Sequence, residues 1–293
     1  MTPDEILSHP ARVLSQSQRE AYFRDGYIGL PGFVDAAMVA RLQATTEKFV
    51  DLSRAESEPG RVFDIGPGHT AENPILRRLK RPDEQDEVFW HFARDVLADV
   101  AADLLGQDVV FHHSKMNFKW FDESDTVKWH QDAQFFPHTN YNVMTIGCYL
   151  ADTDMSNGPL AVMPGSHDEE LYDQYAEDGH WTGHLRPEDA AKMDMSKAEY
   201  LTGPAGTLTI HNCRTAHFSP SSKSPSPRPL LLNCFTSADA KAYTPHPDPS
   251  SHTYEIVRGK PALWAHHDPR PCLIPPDWSG GYTSIYAAQA GEG

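Results

Sequence analysis

The chain has 293 residues and a mass of 32.7 kDa, enough to bury a substantial core as one large domain or two small ones. Its 25 Lys+Arg against 41 Asp+Glu give a formal net charge of −16, which repels phosphate backbones and anionic bilayers and argues against nucleic acid and membranes as partners. No apolar run approaches the ~20 residues of a membrane helix, and the first residues, MTPDEILSHPARVLSQSQ, lack the basic flank and apolar core of a signal peptide. Cys148, Cys213, Cys234 and Cys272 form no C-x-x-C pair, and the first three sit in apolar runs as core thiols, the pattern expected of a reducing, cytoplasmic setting.

In chain order, SQSQREAYFRDG (15–26) predicts a short amphipathic helix ending at Gly26. YIGLPGFV predicts a kinked strand. A first long helix follows from Asp35, a plausible N-cap, with Met38, Leu42 and Phe49 near helical spacing. Residues 57–83 read as irregular and polar. They include the densest basic run, Arg77, Arg78, Lys80 and Arg81, which either reaches a pocket mouth or forms a solvated charge run. Residues 84–105 predict a second long helix, stopped by Gly106. Apolar runs of strand length then recur at 109–121, 128–138, 143–151, 160–167, 206–212 and 228–237, bounded by turn residues such as DESD (122–125) and NGP (157–159). The acidic, helix-prone segment 168–203 reads as an insertion between strands, and the Pro- and His-rich tail from 239 as irregular. Helices followed by short strands predict an α+β fold whose core is an antiparallel sandwich or barrel.

The stretch KWHQDAQFFPH (128–138) sets His130 two residues before Asp132. Four His-x-Asp/Glu pairs occur, the others being His167/Glu169, His246/Asp248 and His266/Asp268, and composition alone supplies roughly two, so any one pair reads first as a solvated polar pair. On a strand, residues i and i+2 share a face. The flanks VKWH and AQFF predict a strand around His130 and Asp132, whereas prolines flank the pairs at 246 and 266. Two histidines and a carboxylate make the facial triad of non-haem Fe(II) oxygenases. The third ligand is sought in GTLTIHNCRTAHFSPSSKSPSPRPLLLNCF, read as a hairpin that brings His217 and Arg228 to the same end, with His211 as the rival ligand. The arginine fork suits a carboxylate.

His130-Gln-Asp132, FFP, NGPLAVMPGSH (157–167), and His217 followed eleven residues later by Arg228 together resemble the phytanoyl-CoA hydroxylase (phytanoyl-CoA dioxygenase) family of Fe(II)/2-oxoglutarate oxygenases. The segment GYIGLPGFVDAAMVARL is similar to that family's N-terminal part, and the likeness spans roughly residues 18–237. The resemblance implies a double-stranded β-helix (jelly-roll) with flanking N-terminal helices and an inserted helical segment. It implies one domain over 1–293: a helical part at 1–107, the jelly-roll core at 108–237, and a lid or tail at 238–293. It implies that His130, Asp132 and His217 hold Fe(II), and that Arg228 pairs with the distal carboxylate of 2-oxoglutarate. Ser219 and Asn117 match cosubstrate-binding positions, and Lys115 is placed to help hold cosubstrate or substrate; Ser219 also reads as a turn residue and Lys115 as a surface lysine. The implied reaction consumes O2 and 2-oxoglutarate, with ascorbate supportive, and hydroxylates a C–H bond of a small molecule with release of succinate and CO2. An aspartate at 132 argues for hydroxylation rather than halogenation.

The sequence also admits two other readings: a metal-dependent jelly-roll enzyme that does not use 2-oxoglutarate, and a non-catalytic binding or sensor module on the same fold. For the substrate pocket, His138, Tyr141 and Asn142 are expected to overhang the site, with Trp264 and Tyr282 in a lid.

Overall fold

Capping chemistry sets the first helices. In this computed structural model, which describes residues 1–121, 126–278 and 284–290, α1 (Pro3–Ser8) and α2 (Gln16–Asp25) each open on a capping box, Thr2 with Glu5 and Ser15 with Gln18. The expected DESD turn and Tyr282 lie outside the described residues. Gly26 ends α2 at φ 81°, a left-handed conformation that favours glycine, and β1 (Tyr27–Leu30) follows. α3 (Ala36–Ser53) opens on Asp35, whose carboxylate accepts the Met38 amide at 2.9 Å, and it buries Val39, Leu42, Thr46 and Phe49 at helical spacing. After the short α4 (Pro82–Gln85), the second long helix is not uniform. α5 (Glu87–His91) passes through a π-helical turn, Phe92–Leu97, into α6 (Ala98–Leu105), which Gly106 ends.

The segment read as irregular holds a hairpin, β2 (Phe63–Ile65) and β3 (Leu76–Lys80). The sequence LRRLK hides a strand because Lys is depleted in strands and the charges dominate the apolar alternation. β3 pairs with β4 (Val109–Lys119) in the register Arg78↔Asn117, Leu79↔Met116, Lys80↔Lys115. Leu79 and Met116 therefore enter the main apolar core, while Arg78 and Lys80 share the other face with Asn117 and Lys115.

Two antiparallel sheets carry the core. The larger runs β1-β9-β6-β11-β4-β3-β2, with β6 (Val143–Tyr149), β9 (Leu208–Asn212), β11 (Arg228–Ser237), and β12 (Ile256–Arg258) attached to β4. The smaller runs β5-β10-β7-β8, formed by Val127–His130, His217–Ser219, Leu160–Val162 and Glu199–Leu201. α3, α5 and α6 pack on the apolar face of the larger sheet. This is the expected α+β double-stranded β-helix.

Three local expectations change. β10 and β11 are not a paired hairpin: β10 lies between β5 and β7, whereas β11 lies between β6 and β4 in the other sheet. The 168–203 insertion contains only α7 (Pro187–Ala190) and a 3-10 turn, Met195–Lys197, before β8. Its aspartates accept local backbone amides instead of sitting on a helix face, Asp173 from Tyr175, Asp178 from His180 and Asp194 from Ser196. The tail is largely irregular, as expected, but adds β12 and α8 (Ile285–Ala290), and Trp264 projects outward with 80% of its surface exposed instead of forming a lid.

Gly158, in the NGP turn before β7, has φ 73°, and a Cβ there would meet the Pro220 carbonyl at 2.5 Å and Lys119 Cδ at 2.6 Å. A Gly158→Ala variant should lose about 1–3 kcal/mol of stability, read as a lowered melting temperature.

Candidate metal centre

β5 and β10 place His130 and His217 directly opposite each other, so both imidazoles project from the same face of the smaller sheet, with ring centroids 4.0 Å apart. Each ring is fixed through its Nδ1. That of His130 lies 2.8 Å from the Lys128 carbonyl, and that of His217 lies 2.9 Å from the Thr215 carbonyl. A carbonyl only accepts, so both Nδ1 atoms carry hydrogen and both Nε2 atoms present lone pairs. β5 stops at His130, and Asp132 begins a 3-10 turn, Asp132–Gln134. A continuous strand is therefore not needed to unite the pair. The turn brings Asp132 Oδ1 to 3.9 Å from both Nε2 atoms, and the three donors lie within 4.8 Å of one another.

All three side chains are buried. Burial pushes the His130 imidazole down to about 4 and holds that of His217 well below its ordinary value, so both are neutral near pH 7. Burial alone raises the Asp132 carboxyl, but hydrogen bonding to His211 and the proximity of His217 and Lys115 outweigh it, leaving Asp132 well below the usual carboxylate range. Neutral imidazoles beside an ionised carboxylate form a donor set suited to Fe(II). His211, on β9, stands behind the triad with Nε2 at 3.5 Å from Asp132 Oδ2 and its ring 4.2 Å from that of His217. Thr145, on β6, donates its hydroxyl to Asp132 Oδ2 at 2.9 Å. Thr145→Val removes this outer support and should weaken Fe(II) binding about 10- to 100-fold, measured by competition with a chelator. Gln131, fully buried between His130 and Asp132, donates to the Arg214 and Glu170 carbonyls and accepts from the Tyr172 amide, tying the insertion to the end of β5.

The triad opens into a cavity of about 520 Å³ that Arg228, Ser219, Asn117 and Lys115 also line. Arg228 is 2% exposed and stands opposite Lys119 across the β11–β4 ladder. Its Nη2 donates to the Gly158 carbonyl at 2.8 Å and lies 3.4 Å from Ser219 Oγ, and its guanidinium stacks 5.4 Å from the Tyr149 ring centroid. The expected sites thus meet in one cavity, even though β10 and β11 belong to different sheets. Asn117 is engaged on one side, its Oδ1 accepting Arg78 Nε at 3.0 Å. Lys119, Thr145, His211 and Tyr286 also line the cavity. Lys119 had a signal, since it shares the strand face of Lys115 and Asn117. Tyr286, on α8 almost sixty residues after Arg228, the last motif residue, had none.

A second cavity of about 610 Å³ adjoins the first through Lys115 and is bordered by Arg78, Lys80, His113, Phe135, Phe136 and Trp278. The basic run therefore does reach a pocket, apart from Arg77, which pairs with Asp64 at 3.4 Å. His246 and Asp248, a solvated pair by sequence, also border it, Asp248 being held by Arg81 at 3.2 Å. His246 groups with His112 and His113, whose Nδ1 atoms are 2.7 Å apart. His138 packs on His112, with ring centroids 5.1 Å apart. Tyr141 and Asn142 do not overhang the triad: they bond to the carbonyls of Pro271 and Met1 around a separate groove.

Fold and donor set together define a class, the oxygenases that use iron and 2-oxoglutarate on a double-stranded β-helix. Residues 22–230 match the family model described as Phytanoyl-CoA dioxygenase (PhyH). The chain belongs to this family and is an iron- and 2-oxoglutarate-dependent dioxygenase that hydroxylates a small molecule. It is 31% identical over 231 residues to a "Probable alpha-ketoglutarate-dependent hypophosphite dioxygenase" of Stutzerimonas stutzeri, covering 78% of this chain and 80% of that protein. It is 29% identical over 245 residues to an ectoine dioxygenase of Stutzerimonas stutzeri strain A1501, covering 77% and 78%. The crystal structure of EctD from S. alaskensis with 2-oxoglutarate and 5-hydroxyectoine superposes with a TM-score of 0.70 at 24% identity, covering 91% of this chain and 92% of that one.

Proposed function

We propose that His130, Asp132 and His217 hold the Fe(II), and that Arg228 with Ser219 receives the distal carboxylate of 2-oxoglutarate. The observation that carries this reading is the pair of facing imidazoles, each pinned through Nδ1 to a carbonyl so that Nε2 meets the Asp132 carboxylate. Metal-binding histidines are oriented in this way by the partner of their other nitrogen. When bound, iron, 2-oxoglutarate and O2 supply the oxidising chemistry: the substrate C–H becomes C–OH, the second oxygen atom enters succinate, and CO2 leaves.

The chain's own residues supply position and charge. Arg228 offers a buried cationic fork at the end of the cavity, with Lys119 beside it across the ladder. Asn117 holds Arg78 in place, and Lys115 faces both cavities. Leu230, Leu232 and Ile285 line the first cavity with apolar surface that limits water. The relatives are named for hypophosphite and ectoine, both small polar molecules, which supports a compact polar substrate here. Three buried thiols fit a reducing, cytoplasmic setting, and no described helix is long and apolar enough to cross a membrane. The whole chain acts in this reading as one catalytic domain with its tail reaching the site through Trp278 and α8. The test is succinate formation with Fe(II), 2-oxoglutarate and ascorbate, which is expected at a slow rate even without substrate; absence of both succinate and iron uptake contradicts it.

A further inference from the structure

The cavity beside the iron site concentrates positive charge in a chain whose net charge is −16. Lys80 stands directly opposite Lys115 across the β3–β4 ladder, and Arg78 is on the same face two residues along. Like charges directly opposite in a ladder destabilise it. The acids near them are engaged elsewhere: among the described residues, none of these three side chains forms an ion pair, since Asp64, opposite Arg78 in the β2–β3 ladder, pairs with Arg77, and Asp248, on the cavity rim, pairs with Arg81. Arg78 is 5% exposed, and its Nη2 is buried without a hydrogen-bond partner while its Nε is held by Asn117. Lys80 gives one hydrogen bond, to the Gly60 carbonyl at 3.0 Å, and retains two further N–H donors. Burial pulls the Lys80 ammonium below its ordinary value, as expected for a cation lacking a counter-ion, although Asp64 and Asp248 oppose the effect.

We propose that the substrate carries a tetrahedral oxyanion, a phosphonate or phosphinate, held by Arg78, Lys80 and Lys115 beside the iron site. The inference rests on the iron-centre reading above and names its substrate class. Three cationic groups on two strands suit an anion with oxygens in three directions, whereas a single carboxylate is served by one fork such as Arg228. Lys115 borders both cavities and lies within electrostatic reach of Asp132, so an anion on it sits next to the metal donors. The same positions disfavour a second metal at His112, His113 and His246, since Lys115 and Arg81 act on His246 with positive charge. Phe135, Phe136 and Trp278 supply an apolar wall for a short carbon chain. A CoA thioester fits less well, because its phosphates lie many bonds from the acyl carbons. In the reaction a C–H bond next to the anionic group, or a P–H bond in hypophosphite, breaks and the matching C–OH or P–OH bond forms; the substrate gives O2 two electrons and 2-oxoglutarate gives the other two as it becomes succinate and CO2.

The test is anaerobic titration of the Fe(II)–2-oxoglutarate protein with methylphosphonate, ethylphosphonate, hypophosphite, propionate, propanol and butyryl-CoA. The readout is the metal-to-ligand charge-transfer absorbance, followed by succinate release on admitting O2. A phosphonate or hypophosphite should shift the band and raise succinate release, and propionate and propanol should not. Arg78→Met should raise the half-saturating ethylphosphonate concentration at least about 30-fold, and Arg78→Lys less, as for loss of one partner of a buried charge pair. The band in the same samples shows whether the iron site assembled in each variant. A wild-type band that no phosphorus oxyanion perturbs overturns the inference while leaving the iron-centre reading intact. So does a response to propionate, propanol or butyryl-CoA that equals or exceeds that to the phosphorus oxyanions. Absence of the band in the wild type defeats the iron-centre reading itself, and the inference with it.

Discussion

His217→Ala should yield a folded protein that no longer retains iron: affinity for Fe(II) falls by more than about 100-fold, beyond the 10–100-fold typical of losing a ligand's outer partner. In the proposed centre the imidazole is one of three donors, and its removal leaves His130 and Asp132 on a single chain segment with no donor from the facing strand. Folding should survive, because the side chain faces a polar cavity instead of the main apolar core, which lies on the far side of the larger sheet. Succinate formation should fall with the iron, and circular dichroism should be unchanged. His211→Ala is the informative companion. His211 approaches Asp132 from behind the triad, so its loss should loosen the carboxylate and reduce iron binding only partially. If iron persisted in His217→Ala and vanished in His211→Ala, the third ligand would be reassigned.

Arg228→Ala should separate cosubstrate from metal. It removes a buried guanidinium at the end of the cavity remote in sequence from the first two donors, and about 2–5 kcal/mol of 2-oxoglutarate binding, roughly 30- to 4,000-fold in Kd, should go with it. Iron binding in the absence of 2-oxoglutarate should change little, because Arg228 contacts Gly158 and Ser219 rather than the donor triad. Arg228→Lys should restore part of the affinity, since a lysine keeps the charge but not the fork. Equal loss of iron and cosubstrate would instead assign Arg228 a structural role in the turn around Gly158.

The sequence was most legible where local chemistry decides the outcome. Asp35, Ser15 and Gly26 mark helix ends because caps act within one turn of chain. The motif around His130 and the distant His217 and Arg228 identified the residues that meet in the cavity. The route by which they meet was not legible. Asp132 reaches the imidazoles from a 3-10 turn, and β10 and β11 lie in different sheets, because pairing partners are chosen by contacts far along the chain. LRRLK reads as irregular because its strand character is given by Leu79 packing on Met116, a contact absent from local composition. That contact matters most, since β3 turns a charge run into a wall of the cavity beside the iron site. In 168–203 the reverse occurred: helix-prone residues were overruled by aspartates that bond the backbone two residues on.

The most direct test of the account is anaerobic addition of 2-oxoglutarate to the Fe(II)-loaded protein, followed by absorbance, in the wild type and in Asp132→Ala. The account predicts one iron per chain and a metal-to-ligand charge-transfer band that saturates with 2-oxoglutarate in the wild type and is lost in Asp132→Ala. Iron binding without any band, or a band of equal strength in Asp132→Ala, would contradict an iron centre built on His130, Asp132 and His217.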